Sequence, residues 1–350
     1  MKPTTTTAPP TASGTSLTTF FPIGVWVPPS YDFAKWKSRG ANTMFGVPDG
    51  NDPVAWSNAA VANGLKMIRQ PSSSLSADTA YPNLIARAQP DEPDGIYTQT
   101  PYTEIQQQYR AMKAAMPNNP VLVNFVGDLN QYDKVTGESG PAWYQKYIQG
   151  ADWVSADKYP VNSCQPITRV AQTVDTLRAW SGSKPVFIGL ETTDYNLSDT
   201  CAGPTADQVR AEIWLSINHG VRGYYFFPEQ ISPSFKFDTT PTAVANELTV
   251  QNNRVTALTP VLQPYAVNPS TLSASLPTGL DAGWRDTPNG KYFFVVNTTT
   301  NTLTNQTMTF GGVGSTTTAT VYDEGRSVSV ASGRVTDTFG PHAVHIYKIG

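Results

Sequence analysis

Two glutamates stand where a pair of carboxyl groups could share acid–base work. Glu92 lies in Pro90-Asp91-Glu92-Pro93-Asp94, directly after the apolar run at residues 84–89. Glu191 closes a second apolar run at residues 185–190 and is followed by Thr192-Thr193. Cleaving an acetal C–O bond needs one carboxyl that carries a proton for the leaving oxygen. It needs a second, ionised one to attack or shield the oxocarbenium-like centre. The surroundings must therefore hold the two pKa values apart. A carboxyl near apolar rings and beside another carboxylate keeps its proton more readily, and Glu92 has Asp91 as its neighbour.

The elements that would position this pair are legible as a repeat. Short apolar runs occupy residues 22–27, 42–47, 65–70, 84–89, 121–125, 153–157, 185–190 and 223–227. Helix-compatible stretches at 53–63, 102–115, 141–149, 167–180 and 205–218 lie between them, and the polar connection after Gln70 leaves room for only a reduced third helix. Apolar strands alternating with helices indicate a parallel sheet buried on both faces. Eight of them suit a closed (β/α)8 TIM barrel, an α/β fold whose working face is the C-terminal end of its strands. An open doubly wound sheet would want a glycine-rich phosphate turn after the first strand, and Gly24-Val25-Trp26-Val27-Pro28-Pro29 is none. Glu92 and Glu191 then emerge from strands 4 and 7 on one face. After Pro264 the pattern turns to apolar–polar alternation at 292–297, 307–310, 318–322, 327–330 and 343–349, as in an antiparallel β-sandwich. The expected organisation is a disordered tail over 1–18, a barrel over 19–263 and a small all-β accessory domain over 264–350.

Composition narrows the function classes. Charged residues make up 15% of the 350-residue chain and the net charge is −3. No cluster of Lys and Arg is present to displace counterions from phosphates, so nucleic-acid binding is not expected. No apolar run is long enough to span a bilayer. His219, His342 and His345 have no ligand spacing to other His, Cys or carboxylate clusters, and no Gly-x-Ser-x-Gly elbow occurs. Neither a metal nor a cofactor is expected, and a monomer is. Cys164 and Cys201 suit one disulfide joining two loops of a secreted protein, two free thiols being the alternative. The Thr-, Ala- and Pro-rich start lacks the apolar stretch of a signal peptide. Sequons at Asn196, Asn297 and Asn305 matter only in a eukaryotic secretory route.

Asp91-Glu92-Pro93 after strand 4, with Glu191 ending strand 7, resembles clan A of the glycoside hydrolases. The resemblance extends over about 330 residues, because many members carry a C-terminal β-sandwich whose last strand is similar to residues 339–347. It implies a retaining O-glycosidase working by double displacement. Glu191 would be the nucleophile and Glu92 the acid/base, their carboxyls about 5–5.5 Å apart. It also implies an oligo- or polysaccharide substrate, a β-linked glycan of plant or microbial origin. Short connections suggest an open cleft and endo action. Most members have Asn before the acid/base Glu; Asp91 stands there instead and can only accept a hydrogen bond when ionised.

The remaining candidates are substrate-binding residues at strand ends. Tyr159 in Asp157-Lys158-Tyr159-Pro160 matches the place from which a clan tyrosine donates to the nucleophile; a loop tyrosine is the plainer reading. Asp157 and Lys158 either form a rim ion pair or bind a substrate hydroxyl, the rim pair being the preferred reading. Asn124, Arg69 and Gln70 either bind sugar hydroxyls or stitch loops. Arg87 either pairs with a catalytic carboxylate or balances another buried acid. Trp26, Tyr31, Phe45, Tyr195, Phe226 and Phe227 are ring platforms or core, Trp26 being the best platform. Glu229 after strand 8 is a rival acid, a hydroxyl ligand or a solvated group. A carbohydrate-binding protein on a degenerate barrel is the second reading, and a metal-dependent phosphodiesterase a third.

Overall fold

A computed structural model describes residues 16–72, 74–197 and 200–350. The expected tail falls mainly outside these residues, as does Ser198 of the first sequon. Eight parallel strands close into a barrel in sequence order: β1 (Ile23–Trp26), β2 (Thr43–Phe45), β3 (Lys66–Arg69), β4 (Leu84–Ala88), β5 (Val121–Phe125), β6 (Trp153–Lys158), β7 (Val186–Glu191) and β8 (Gly223–Phe227). The helices between and after them are α1 (Phe33–Ser38), α2 (Pro53–Ala62), α3 (Tyr102–Ala115), α4 (Gly140–Ile148), α5 (Arg169–Ser181), α6 (Ala206–His219) and α7 (Thr242–Leu262). Local chemistry sets several of their ends. Asp52 caps α2 through the Val54 N–H, with Pro53 at the first helical position. Thr205 and Gln208 form a reciprocal capping box at the start of α6.

The barrel interior is filled by interlocking large and small residues. Phe45, Ile68, Leu122, Trp153, Phe187 and Tyr225 project inward. Gly24, Gly189 and Gly223 leave them room. A Cβ on Gly24 would lie 2.3 Å from the Phe45 ring, and one on Gly223 2.6 Å from Phe187. The N-terminal end of the barrel is closed by residues 17–20. The Leu17 carbonyl accepts from Arg222 and the Phe20 carbonyl from Gln263.

Among the described residues, the connection from β3 to β4 carries only a short 3-10 turn, Ala77–Ala80, in agreement with the reduced helix expected there. Its Asp78 is wholly buried and fills the gap. Arg69 donates to one carboxylate oxygen at 2.9 Å and Arg87 to the other at 3.2 Å, while Ser72 adds a third bond. The second guanidinium is met by the carbonyls of Met112 and Leu75. Of the alternatives open for each residue, the observed contacts are the structural ones: Arg69 stitches this connection and Arg87 balances a buried acid, Asp78. Both project from the outer face of the barrel, where the missing helix would have packed.

Eight antiparallel strands follow: β9 (Ser273–Ser275), β10 (Leu280–Thr287), β11 (Gly290–Asn297), β12 (Leu303–Gly311), β13 (Thr318–Val321), β14 (Arg326–Ser329), β15 (Arg334–Phe339) and β16 (Val344–Ile349). They form a five-stranded sheet, β10-β11-β16-β13-β14, and a three-stranded one, β15-β12-β9. One face of β11 and β16 (Phe293, Val295, Tyr347, Ile349) joins the sandwich core; the other (Phe294, Val296, Ile346) joins the core of the barrel helices. Trp214 of α6 stacks on Phe294 with centroids 5.5 Å apart. His219, at the end of α6, bonds Asp175 of α5 at 2.9 Å and Asp281 of β10 at 3.0 Å, tying the two layers.

Two stability tests follow from these contacts. Removing Asp78 strands two buried guanidinium groups, so Asp78→Ala should cost roughly 3–5 kcal/mol, read as a fall in Cm in urea. Burial alone would lower the His219 pKa, but its bonds to Asp175 and Asp281 outweigh burial and raise it to about 9. The contribution, at most about 3 kcal/mol, is fully present below the unfolded pKa near 6.5 and lost as pH rises through about 9. His219→Gln should flatten that part of the stability–pH curve.

Candidate active site

The C-terminal ends of the strands open onto a cleft of about 760 Å³. Its rings are Trp26 at the end of β1, Phe45 on β2, and Phe235 and Phe237 in the loop after β8. Ile68, Ala88 and Leu122 contribute its apolar floor. Two carboxyls line it, Asp91 after β4 and Glu229 after β8, with Asp49 from the β2 loop nearer its edge. Strands 4 and 8 are diametrically placed in an eight-stranded barrel, so Asp91 and Glu229 approach from opposite sides. The backbone is forced at this mouth: Val27 has φ 34° and Glu92 φ 41°, both in the left-handed region that β-branched and long side chains avoid.

Below the cleft, β4, β5, β6 and β8 contribute one polar network. The Asn124 amide donates to Asp91 at 2.9 Å and to Asp157 at 3.0 Å. The Tyr225 hydroxyl lies 2.5 Å from Asp157, 2.6 Å from the Asn124 carbonyl oxygen and 3.0 Å from Ser155. Burial, then the charges of Asp91 and Glu92, push the Asp157 carboxyl far above the usual range. Asp91 is open to water along the cleft yet walled by protein elsewhere, and burial raises its pKa against the bond from Asn124. Glu92 is half-buried, and burial followed by the charges of Asp91 and Asp94 lifts it to about 7. Asp94 also rises to about 7 through burial, although it accepts from Tyr144 and the Val126 N–H. Four carboxyls thus share one side of the barrel mouth and hold fewer charges than carboxyls. Across the cleft Glu229 is 3% exposed, its Oε1 has no partner among the described residues, and burial raises it to about 8.

Glu191 is placed differently. It is 0% exposed and does not line the cleft. Its carboxyl accepts from the Val161 N–H (2.6 Å), the Asn162 N–H (2.8 Å) and the Asn162 side-chain amide (2.6 Å). Asn162 is held in turn by Thr193 and Tyr195. Behind Glu191 lies Glu212 of α6, also fully buried, whose pKa is driven up by burial and by the charge of Glu191. As two carboxylates the pair has no bond to share and both Glu212 oxygens lack a donor. A proton on Glu212 closes the contact. The segment covering Glu191 is anchored by the Cys164–Cys201 disulfide, which joins the loop after β6 to the loop after β7.

The other sequence candidates divide. Trp26, Asp91 and Glu229 lie on the cleft, and Asn124 supports its floor from below. Tyr159 does not hold Glu191; its ring packs on Phe227 and Tyr195, with centroids 5.4 and 5.1 Å away, and backbone N–H groups have taken its expected role. Asp157 and Lys158 do not pair, because neighbours on a strand face opposite sides. Asp157 points inward to Tyr225, while Lys158 points outward to Asp128 and Gln165. Phe226 stacks outward on Trp36 and belongs to the core. Sequence reading missed Tyr225, Phe235, Phe237, Asn162 and Glu212. Period-2 parity counted from Trp153 would have turned Asp157 inward. A lone acid in Ala211-Glu212-Ile213-Trp214 was a visible signal for a buried carboxyl.

No protein-family model matches the chain, and comparison with curated protein sequences finds no match. Solved structures do resemble it. An α-amylase from Geobacillus thermoleovorans, complexed with acarbose, superposes with TM-score 0.62 at 8% identity, covering 92% of this chain and 91% of that one. The catalytic mutant of a GH42 β-galactosidase from G. stearothermophilus gives 0.63 at 8% identity, with 96% and 99% covered. A GH30 endoxylanase from Clostridium papyrosolvens gives 0.54 at 13% identity, with 95% and 96% covered. The likeness is one of fold. It extends over nearly the whole of this chain and leaves chemistry to the site.

Proposed function

We propose that this protein hydrolyses O-glycosidic bonds in a glycan bound across the barrel mouth. The observation that carries the reading is a ring-lined cleft at the C-terminal face, with carboxyls entering from opposite sides of the barrel. Rings stack on the apolar faces of sugars, and carboxyls of unequal proton affinity divide acid and counter-charge between them. Glu92, near 7, is matched to proton exchange at neutral pH. The solved neighbours named for amylase, β-galactosidase and xylanase lend the same direction.

A polymer cut internally is the preferred substrate, of the β-linked class implied by the sequence resemblance. Among the described residues, the large aromatic side chains most open to solvent are Tyr31, Tyr97, Tyr132 and Phe235. All four lie in loops that follow β-strands at the working face. Tyr97 is 96% exposed. Rings beyond both ends of the cleft suit a chain that extends past the scissile bond. The disulfide agrees with secretion. The sealed Glu191 favours the second reading, a barrel that binds glycan without turnover.

Reducing-sugar release from a panel of β- and α-linked polysaccharides separates the two. Release by the wild type, reduced about 10²–10⁴-fold in Glu92→Gln, is the expected result. Binding without release supports the second reading. On the cleaved polymer, Tyr97→Ala with Tyr132→Ala should raise KM about 2–10-fold per ring and leave kcat on a short aryl glycoside unchanged. Equal KM on the polymer would reject the extended path.

A further inference from the structure

We infer that Glu229, and not Glu191, is the carboxyl that opposes the strand-4 acids and delivers the proton to the glycosidic oxygen. The inference rests on the glycosidase reading above and assigns its proton donor. Three observations carry it. Glu229 lines the cleft, whereas Glu191 does not. Glu229 is 97% buried by its 3% exposure, yet its Oε1 meets no donor or acceptor among the described residues. An orphaned buried oxygen costs free energy unless a ligand or a proton completes it. Glu191 is the reverse case: three N–H bonds occupy its carboxylate and it does not reach the cleft, so it has no approach to an anomeric carbon. Burial that favours the protonated form of Glu229 at neutral pH is consistent with the role.

The step balances within the site. The Glu229 proton passes to the glycosidic oxygen as the bond to the anomeric carbon breaks, and the bonding pair leaves with that oxygen. The carboxylate of Asp91, held by Asn124 on the opposite wall, faces the positive charge that develops on the sugar. Water then bonds to the anomeric carbon and releases a proton to the Asp91 carboxylate. Exchange with solvent resets both sides. Because water bonds to the anomeric carbon directly, from the face opposite the leaving oxygen, the product anomer is inverted. This departs from the retaining double displacement that the sequence resemblance implies, and gives the inference a stereochemical readout.

The test uses the glycan found by the panel, together with two aryl glycosides of the same sugar, one with a poor leaving group and one with a dinitrophenyl group that departs without protonation. Glu229→Gln should lose about 100-fold or more in kcat on the glycan and the poor aryl glycoside. It should lose less than about tenfold on the dinitrophenyl glycoside. The wild-type alkaline limb near pH 8 should vanish in the variant, and ¹H NMR of the first product should show inversion. A merely structural role would depress all substrates alike. Should Glu229→Gln fail to fold, Glu229→Asp keeps the acid and shortens its reach; selective loss on the poorer leaving groups is again expected. Retention at the anomeric carbon, with Glu191→Gln inactive and Glu229→Gln active, overturns the assignment while leaving the glycosidase reading intact. A wild type silent on every glycan overturns both.

Discussion

The Tyr225 ring, set in the middle of the barrel, constrains everything built above it. It lies 4.7 Å from Phe45 and 5.2 Å from Trp26 between ring centroids, so the walls of the cleft rest on it directly. Gly24 and Gly189 are glycine because a Cβ at either would collide with the side chain of Tyr225 or of its neighbours; at Gly189 that atom would sit 2.7 Å from both the ring and Asp157. Its hydroxyl joins Asp157, Asn124 and Ser155, so one side chain fixes both the apolar packing and the polar floor. A close-packed interior transmits such constraints, because no void remains in which a displaced ring could settle.

On that floor the protein concentrates acid. Burial raises Asp91, Glu92, Asp94 and Asp157, and the charge of Asp91 raises the other three further. The cluster finds amide and hydroxyl donors but, within its own bonds, no guanidinium or ammonium. The cations near the barrel are committed elsewhere: Arg69 and Arg87 to Asp78, Lys158 to Asp128. Carboxyls buried together without a counterion are a costly arrangement for folding alone. It suits a surface on which positive charge develops transiently. Strain at Val27 and Glu92 falls in the same ring of strand ends, as expected where the scaffold over-determines a working geometry.

The sandwich is more than an appendage. One face of its larger sheet belongs to the core of the barrel helices, and Arg285 is buried against the C-terminal carbonyl of Ile217. The contact braces α6, which carries Glu212 behind Glu191. The disulfide braces the loops in front. Glu191 is thus fixed from both sides, and its neighbourhood is built for rigidity where the Asp91–Glu229 cleft is built open.

Hydrophobic period and turn chemistry are local properties, and they determined the eight barrel strands, the reduced third helix and the change to alternating β-strands. Burial drives each such segment the same way wherever it sits. The sandwich strands β9, β10 and β15 escaped because their packing is not apolar in a simple alternation. Gly283 makes room for Asn218, Arg285 seeks a helix carbonyl, and β15 is an edge strand rich in Thr and Asp. Strand position alone also brought Asp91, Trp26 and Glu229 to the working face. What only the tertiary structure decided was the direction and company of side chains. Glu191 and Glu229 look alike in sequence, the first ending β7 and the second following β8 by two residues. N–H groups from a neighbouring loop occupy the first, and the Oε1 of the second meets no partner among the described residues. Such partners come from residues distant in the chain, and no spacing within the sequence encodes them.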